Sequence, residues 1–315
     1  MRVLITGGFG YLGGRIAKNL VDQGFQIVLG SRNEQAAPDW LPKVEIVRID
    51  WDDQSSLENI CKNIDVVVHT AGMNAQECAE DPVAALEFNG IATGRLVQAS
   101  VSVGVTKFIY LSTAHVYSYP LMGEIDEESC LTNRHPYATS HVAGENAVLY
   151  QSDVSSDFAG IVLRLSNGIG VPAHKYTNCW MLAVNDFCKQ VVENGKIVVN
   201  SSSKVERDFV PISLLCNSIH TMIDDVEVNS GIINIASSNT VSLQEITNII
   251  KERTELLFGF SVEVMFKNKS GFSLDSSNSK KLFISNHKLK ETVEVEIKLV
   301  GEIDQLLLMC RKWFG

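Results

Sequence analysis

The hydrophobic positions of the chain fall into short runs that are separated by amphipathic stretches. Runs that are apolar or alternating, as strands of a buried sheet are, lie at 3–6, 25–29, 44–49, 65–69, 108–111 and 161–165. The stretches 15–21, 81–103 and 137–151 have the apolar spacing or length of helices. Strands and helices therefore alternate through the first half of the chain, which predicts a parallel sheet covered by helices.

The first strand runs into a glycine-rich turn. Gly7, Gly10 and Gly13 are spaced three apart between that strand and the first helix. In this position such glycines permit a tight turn, a close approach of the backbone to a pyrophosphate, and packing of the helix on the strand. We therefore predict a dinucleotide site here, and the residues between the glycines, Phe9, Tyr11 and Leu12, join it as candidates.

Beyond residue 172 the alternation decays. The pattern there predicts helices at 180–192, 243–256 and 300–313 and strands at 232–236 and 261–266. We predict an α/β fold: a Rossmann-type doubly wound parallel sheet in residues 1–166, with a return segment at about 207–240. The stretches 167–206 and 241–315 would form a smaller α+β region that binds substrate.

Helix starts are predicted from capping residues. Ser55 and Glu58 resemble a capping box for a helix that ends at Lys62. Asp81 and Pro82 are typical of the cap and first position of the long helix at 81–103.

Composition limits the classes of function. The 315 residues are 45% hydrophobic and 20% charged, with a formal net charge of −10, which disfavours nucleic acid and anionic membranes as partners. Seven scattered cysteines form no Cys-x-x-Cys pair, so neither a disulfide framework nor a metal site is expected. No signal peptide or membrane-spanning run is evident, which favours a cytoplasmic location.

The end of the second strand bears on the choice of cofactor. Gly30 is followed by Ser31 and Arg32, where dinucleotide folds that use NAD usually carry an acidic residue. An arginine there suits the 2′-phosphate of NADP, although a solvated loop arginine is the alternative. The pattern favours NADP over NAD.

Two further strand ends complete the predicted cofactor site. Asp50 is placed either to accept from an adenine amino group or to cap the next helix, and Trp51 follows it. After the fourth strand, the small residues Thr70, Ala71 and Gly72 would let a cofactor lie close.

Polar side chains that suit catalysis follow the fifth strand, in the segment 112–117. A second cluster contains Tyr137 and His141, which are four residues apart and so share a helix face. The carboxyl ends of strands in open α/β sheets are where ligands bind.

In its motifs the chain resembles an extended short-chain dehydrogenase/reductase of the nucleotide-sugar epimerase, dehydratase and ketoreductase group. The matching segments are 6–13, 69–72, 112–117, 164–170, 207–210 and 233–243. The resemblance implies that Tyr137 exchanges a proton with the substrate oxygen and that Thr113 hydrogen-bonds the same oxygen. It also implies that Asn167 and Asn178 contact the sugar or diphosphate and that Arg207 pairs with the diphosphate.

The chain departs from that family at the position four residues after the tyrosine. The family has a lysine that binds the nicotinamide ribose and lowers the tyrosine pKa, whereas this chain has His141. A mostly neutral imidazole can still bond the ribose but should weaken phenolate formation. Proton transfer could alternatively pass to His115 or to His141 itself.

A second departure narrows the reaction. Sugar dehydratases of the family carry Thr-Asp-Glu on strand five, and this chain has Thr113 followed by Ala114 and His115, which argues against dehydration. We predict an NADP(H)-dependent reductase acting on the keto group of a nucleotide-linked sugar. The alternatives are an NAD-dependent epimerase, and a catalytically impaired NADP-binding scaffold or regulator. By the family's habit, the helices at 81–103 and 137–151 would pair two copies into a homodimer.

Overall fold

The computed structural model describes residues 1–225, 230–267 and 281–315. Its strands are, in chain order, β1 (Arg2–Thr6), β2 (Gln26–Ser31), β3 (Glu45–Arg48), β4 (Val66–His69), β5 (Lys107–Thr113), β6 (Glu124–Ile125), β7 (Ala159–Leu165), β8 (Asn167–Ile169), β9 (Lys196–Val199), β10 (Glu206–Pro211), β11 (Gly231–Ile235), β12 (Thr240–Ser242), β13 (Glu263–Phe266) and β14 (Phe283–Ile284).

The helices are, in chain order, α1 (Tyr11–Asp22), α2 (Gln54–Cys61), α3 (Ala75–Glu80), α4 (Pro82–Ala85), α5 (Thr93–Ser102), α6 (Pro136–Val154), α7 (Ala183–Asn194), α8 (Ile212–Asp224), α9 (Leu243–Phe258), α10 (His287–Thr292) and α11 (Leu299–Phe314). A π-helical segment, Leu86–Ala92, joins α4 to α5, and a single 3-10 turn, Ala114–Val116, follows β5.

The main sheet has seven strands in the order β11-β7-β5-β4-β1-β2-β3, and every pair of neighbours is parallel. Because the strands are parallel, the carboxyl ends of β1, β4 and β5 lie side by side at one edge. This confirms the predicted Rossmann-type doubly wound α/β fold.

Both faces of the main sheet are buried, and the alternation of the strands distributes their side chains between two cores. Val3 and Ile5 of β1 belong to one core with α1 and α8, whereas Leu4 belongs to the other with α2, α5 and α6. Burial on both faces explains why these strands are almost continuously apolar in sequence.

A further core lies in the later part of the chain, between α7, α9 and α11. A short sheet of β12, β10 and β8 and a parallel pair of β13 with β9 border it. In β10, Phe209 packs into this core while Val210 packs into the main one, so the strand ties the two together.

The predicted cap of α2 is wrong. Asp53, not Ser55, is the N-cap, and its carboxylate accepts a hydrogen bond from the Ser55 amide at 2.9 Å. The helix ends at Cys61, one residue before the predicted Lys62. Asp50 does not cap it either, because its Oδ1 accepts from the Asp52 amide at 3.2 Å instead.

The helix predicted at 81–103 is not continuous. Asp81 caps it and Pro82 opens it as predicted, but the segment Leu86–Ala92 is π-helical. Asn89, within that segment, is buried and donates to Ser140 Oγ of α6 at 3.0 Å. The helix predicted at 180–192 likewise begins only at Ala183, the first residue of α7.

Candidate active site

The glycine turn has the shape of a phosphate cradle. Gly7 has a φ of +71°, and a Cβ there would lie 2.8 Å from the backbone nitrogen of Ala71. A Cβ on Gly13 would lie 2.4 Å from the Gly7 carbonyl oxygen. The N-cap of α1, Gly10, provides no side-chain cap, so the first amides of the helix are open to an anion. Phe9 packs edge-on against Trp40, with ring centroids 6.5 Å apart.

Two predicted cofactor residues at the start of α1 use their side chains elsewhere. The Tyr11 hydroxyl donates to the Gly170 carbonyl at 2.9 Å and lies beside the buried amide of Asn185. Burial raises the Tyr11 pKa well above its usual value, so the phenol keeps its proton. The half-buried Leu12 side chain lies next to Gly168. The backbone of these two residues stays available for a cofactor, as do the half-buried surfaces of their side chains.

At the end of β2, Ser31 and Arg32 differ in availability. The buried Ser31 hydroxyl accepts from the Asn33 amide at 3.1 Å and from Gln35 Nε2 at 2.6 Å. Arg32 is exposed and forms no ion pair with any residue that the structure describes. A guanidinium is therefore free beside the predicted adenosine position, whereas the serine hydroxyl is engaged by its own loop.

At the end of β3, Asp50 is exposed and Trp51 is half-buried. The Trp51 ring packs edge-on against Phe88 at 5.3 Å between centroids. Its Nε1 is buried and has no hydrogen-bond partner among residues 1–225, 230–267 and 281–315. The Asp50 carboxylate thus remains accessible for an adenine amino group, as one of the two predictions for it requires.

The loop after β4 joins the glycine turn to the catalytic candidates. Thr70 Oγ1 donates to the Thr6 carbonyl at 2.7 Å and would meet a Cβ on Gly7. On the other side, a Cβ on Gly72 would lie 3.7 Å from Cε1 of His141. The predicted cofactor and catalytic residues are therefore neighbours across this loop.

Thr113 and Tyr137 meet where β5 ends and α6 begins. Thr113 Oγ1 accepts from the His115 amide at 3.1 Å and so caps the 3-10 turn. His135 caps α6, its Nδ1 accepting from the Tyr137 amide at 3.2 Å. Burial raises the pKa of the Tyr137 phenol, and a hydrogen bond from Thr113 lowers it in part. Tyr137 is thus a protonated phenol held beside a hydroxyl.

His141 lies beneath Tyr137 on α6, with ring centroids 4.6 Å apart. The imidazole is buried, and its Nδ1 lies 2.9 Å from the hydroxyl of Tyr110. Burial lowers the His141 pKa to about 4, so the ring is neutral at physiological pH. Position 141 therefore holds a neutral, hydrogen-bonded ring.

Arg207 and His115 lie near each other in the site. Burial and, to a smaller extent, the nearby charges of Arg207 and His135 together lower the His115 pKa to about 4, so its ring is neutral at physiological pH. Arg207 is half-buried and makes no ion pair within the described residues. An unpaired, partly desolvated cation beside the catalytic candidates provides a place for an anionic group.

The two asparagines predicted to bind substrate differ. Asn167 is half-buried, and its Nδ2 donates to the Asp208 carbonyl at 2.9 Å, which leaves its Oδ1 to accept. Asn178 is exposed, in the irregular segment before α7. No hydrogen bond among the described residues connects Asn178 to the rest of the cluster.

A buried ion pair beneath the site escaped the sequence prediction. Arg164 donates through Nε and Nη2 to the two oxygens of Glu145 at 3.0 and 2.7 Å, and Ser112 Oγ also donates to this carboxylate. Both charged side chains are at most 3% exposed. The signal in the sequence was an arginine within an apolar strand, which demands a buried partner.

The described residues contain neither a membrane-spanning helix nor a metal-binding cluster. No helix there is both long and apolar enough to cross a membrane. No group of three or more His, Cys, Asp or Glu side chains in those ranges is arranged to hold a metal ion.

Comparison with known proteins places this geometry in context. A model of the NAD dependent epimerase/dehydratase family matches residues 3–236. The chain is 30% identical over 190 residues to UDP-glucose 4-epimerase 4 of Oryza sativa subsp. japonica, an alignment that covers 55% of this chain and 51% of that protein. The chain thus matches about half the length of this relative.

Solved structures share the fold along the full chain. A structure of MoeE5 in complex with UDP-glucose and NAD has a TM-score of 0.81 at 19% identity, covering 100% of both chains. The structure of RMD from Pseudomonas aeruginosa, complexed with NADPH, has a TM-score of 0.76 at 20% identity, covering 99% of both chains. At these identities the likeness establishes the fold, and the two neighbours hold different nicotinamide cofactors.

Proposed function

Since the chain belongs to the NAD dependent epimerase/dehydratase family, we propose that it is an NADP(H)-dependent oxidoreductase that reduces the keto group of a nucleotide-linked sugar. The observation that carries this proposal is the grouping of Thr113, Tyr137 and His141 at the carboxyl edge of the sheet. They lie across one short loop from a glycine cradle that a Cβ would fill.

The residues of this chain provide for the proton and the positioning. A bound nicotinamide would supply hydride to the carbonyl carbon. Tyr137, whose raised pKa keeps the phenol protonated, would donate a proton to the oxygen as the carbonyl becomes an alcohol. Thr113 would hold that oxygen, and the His141 ring would hold the nicotinamide ribose. Because no positive charge among the described residues lowers its pKa, the phenol suits proton donation better than proton removal.

We propose NADP because Arg32 is exposed and unpaired beside the end of β2, while no carboxylate follows that strand at once. Its fork of donors matches a 2′-phosphate. Asp50 and Trp51 would contact the adenine, and the cradle amides the pyrophosphate. The solved structure of MoeE5, which shares this fold, was determined in complex with NAD. The choice between NADP and NAD is therefore the first property to measure.

The acidic chain needs a local cation for an acidic substrate, and Arg207 would supply it, while the neutral ring of His115 would contact the substrate by hydrogen bonding. Asn167 and Asn178 would contact the sugar or diphosphate. In this proposal, residues 1–166 with 207–240 bind the cofactor, and 167–206 with 241–315 enclose the substrate.

We also propose a cytoplasmic homodimer that pairs α6 with the helical stretch at 82–102. Apolar side chains on these elements are strongly exposed in the single chain: Val83, Leu86, Ile91, Tyr150 and Val154. A second copy would cover them.

The experiment compares NADP with NAD by thermal-shift titration of the purified protein. Arg32→Ala should weaken NADP binding about 10- to 100-fold, the worth of a charge-assisted contact of about 1.5–3 kcal/mol. Lys43→Ala, which removes an exposed cation before β3 at the opposite edge of the sheet, is the matched control and should bind as the parent does. Stronger stabilisation by NAD would reject the NADP proposal.

Epimerisation is the second candidate, because the curated relative named above is a UDP-glucose 4-epimerase. An epimerase would invert the configuration at one carbon of the sugar without net consumption of NADPH. Incubation with a set of nucleotide sugars and their 4-keto derivatives, followed by product analysis and NADPH absorbance, separates the two. A protein that binds NADP but converts none of them would instead be a scaffold or regulator.

A further inference from the structure

A buried series of hydrogen bonds runs behind the catalytic candidates. Thr6 Oγ1 lies 2.6 Å from Nδ1 of His69, and His69 Nε2 lies 2.9 Å from Thr93 Oγ1. The Tyr110 ring stacks on His69, with centroids 5.5 Å apart, and its hydroxyl reaches Nδ1 of His141 at 2.9 Å. All five side chains are at most 6% exposed, so the hydrogen bonds between them are shielded from water.

The first part of the series has one consistent proton arrangement. Thr93 donates its only hydroxyl proton to the Asn89 carbonyl at 2.8 Å, because a carbonyl can only accept. Thr93 Oγ1 must therefore accept from His69 Nε2, which leaves His69 Nδ1 bare to accept from Thr6. Burial lowers the His69 pKa to about 3, which agrees with a neutral ring that has a single proton.

The second part depends on the direction of the bond between Tyr110 and His141. Tyr110 keeps its proton, because burial raises its pKa well above the usual value. A phenol is a better donor than an imidazole N–H, and a bare imidazole nitrogen is a better acceptor than a phenol oxygen.

We infer that Tyr110 is a positioning residue that donates to His141 Nδ1 and so fixes the tautomer with the proton on Nε2. The Nε2 atom is on the side of Gly72, 4.0 Å from where a Cβ of that glycine would lie. Within the described ranges Nε2 makes no hydrogen bond, and it is not one of the polar atoms there that are fully buried without a partner. The atom is therefore reachable from the cleft. The ring therefore presents one N–H donor to the cleft.

The packing around Tyr110 supports this role. Its hydroxyl lies over Gly144, one turn after His141 on α6, where a Cβ would be only 2.7 Å from the hydroxyl oxygen. A larger residue at 144 would push the phenol away from His141. The bare glycine thus provides the space in which the bond forms.

The inference rests on the proposed function for its purpose, which is to give the nicotinamide ribose a fixed donor without an ammonium group. The tautomer itself does not depend on any reaction. A neutral N–H replaces one of the hydrogen bonds of a lysine and none of its charge.

The experiment reads the two ring nitrogens of His141 by ¹⁵N NMR on the intact protein at about pH 7, where a neutral ring is expected. The His141→Gln spectrum assigns the signal. We expect a protonated Nε2 and a bare Nδ1 in the parent protein. A protonated Nδ1 would overturn the inference, and this reading requires no variant at Tyr110.

Tyr110→Phe tests the cause. It should convert the fixed tautomer into a mixture and weaken NADP(H) binding about 2-fold, since about half of the rings would still present the Nε2 proton. Tyr117→Phe is the matched control, since it removes another buried phenol hydroxyl, which bonds Asn234 at 2.7 Å. An unchanged His141 tautomer in Tyr110→Phe would reject the role. Failure of the parent protein to bind either cofactor would instead reject the proposed function.

Discussion

The neutral state of His141 makes the stability of the fold depend on pH in a specific way. The unfolded histidine takes up a proton below its ordinary pKa of about 6.5, whereas burial lowers the pKa in the native protein to about 4. Between these values the unfolded chain binds more protons than the native one, so stability falls as pH falls through this window. Above about pH 6.5 the ring is neutral in both the native and the unfolded state, so this loss of stability is absent.

The magnitude follows from the shift. A difference of roughly 2.5 pKa units at about 1.4 kcal/mol each is mostly expressed by about pH 4.5, which gives about 2–3 kcal/mol lost relative to about pH 7. With an unfolding entropy of about 2.1 cal/mol/K per residue, this corresponds to a fall in Tm of about 4 °C. His141→Gln removes the titrating group, so the acid-induced fall in Tm should be smaller by that amount.

The assay is differential scanning calorimetry of parent and His141→Gln proteins across the same pH series. The quantity compared is the change in Tm with pH, so the baseline loss of the bond to Tyr110 cancels. His287→Gln, which replaces an imidazole with a 78% exposed side chain, is the control and should follow the parent curve. If His141→Gln shows the same acid-induced fall as the parent, burial does not lower the native His141 pKa below its unfolded value and our reasoning fails.

Three further outcomes are expected. Tyr137→Phe should lower turnover about 10²- to 10⁴-fold with little change in cofactor affinity, since it removes the proton donor alone; steady-state kinetics with ligand titration check this. Glu145→Gln should destabilise the protein by about 3–5 kcal/mol in a denaturant titration, because a buried guanidinium loses its partner. The control Glu193→Gln, in a surface pair, should cost less than about 1 kcal/mol in the same titration. Gly144→Ala should cost about 1–3 kcal/mol and displace the Tyr110 hydroxyl, which calorimetry and the ¹⁵N spectrum detect.

The main sheet could be predicted because its strands are apolar on both faces and the helices that cover it are apolar on one face. The ends of elements were harder. Asp53 and Ser55 are both good caps two residues apart, and which one caps is decided by backbone angles that the sequence does not display. The π-helical turn at Leu86–Ala92 has no repeat of its own, so the segment is predicted as ordinary helix.

Some residues of the candidate site could likewise be predicted from the sequence, and others could not. Tyr137 and His141 could be placed on one face from their spacing alone, and the contact between their rings confirms it. Tyr110 could not be found, because a tyrosine in a buried strand is indistinguishable in sequence from an ordinary core residue. Its role depends on a contact between β5 and α6 and on the missing side chain of Gly144, both of which are tertiary.

The pairing of Glu145 with Arg164 leaves the neutral state of His141 undisturbed. The Glu145 carboxylate follows His141 by four residues on α6 and would favour the imidazolium if its charge were free. Both its oxygens are instead held by Arg164, and Ser112 also donates to it, so burial alone sets the His141 pKa. Among the described residues no positive charge lowers the Tyr137 pKa, so the phenol releases its proton only toward an oxygen that is gaining negative charge. That asymmetry is why we propose reduction rather than oxidation as the direction this site serves.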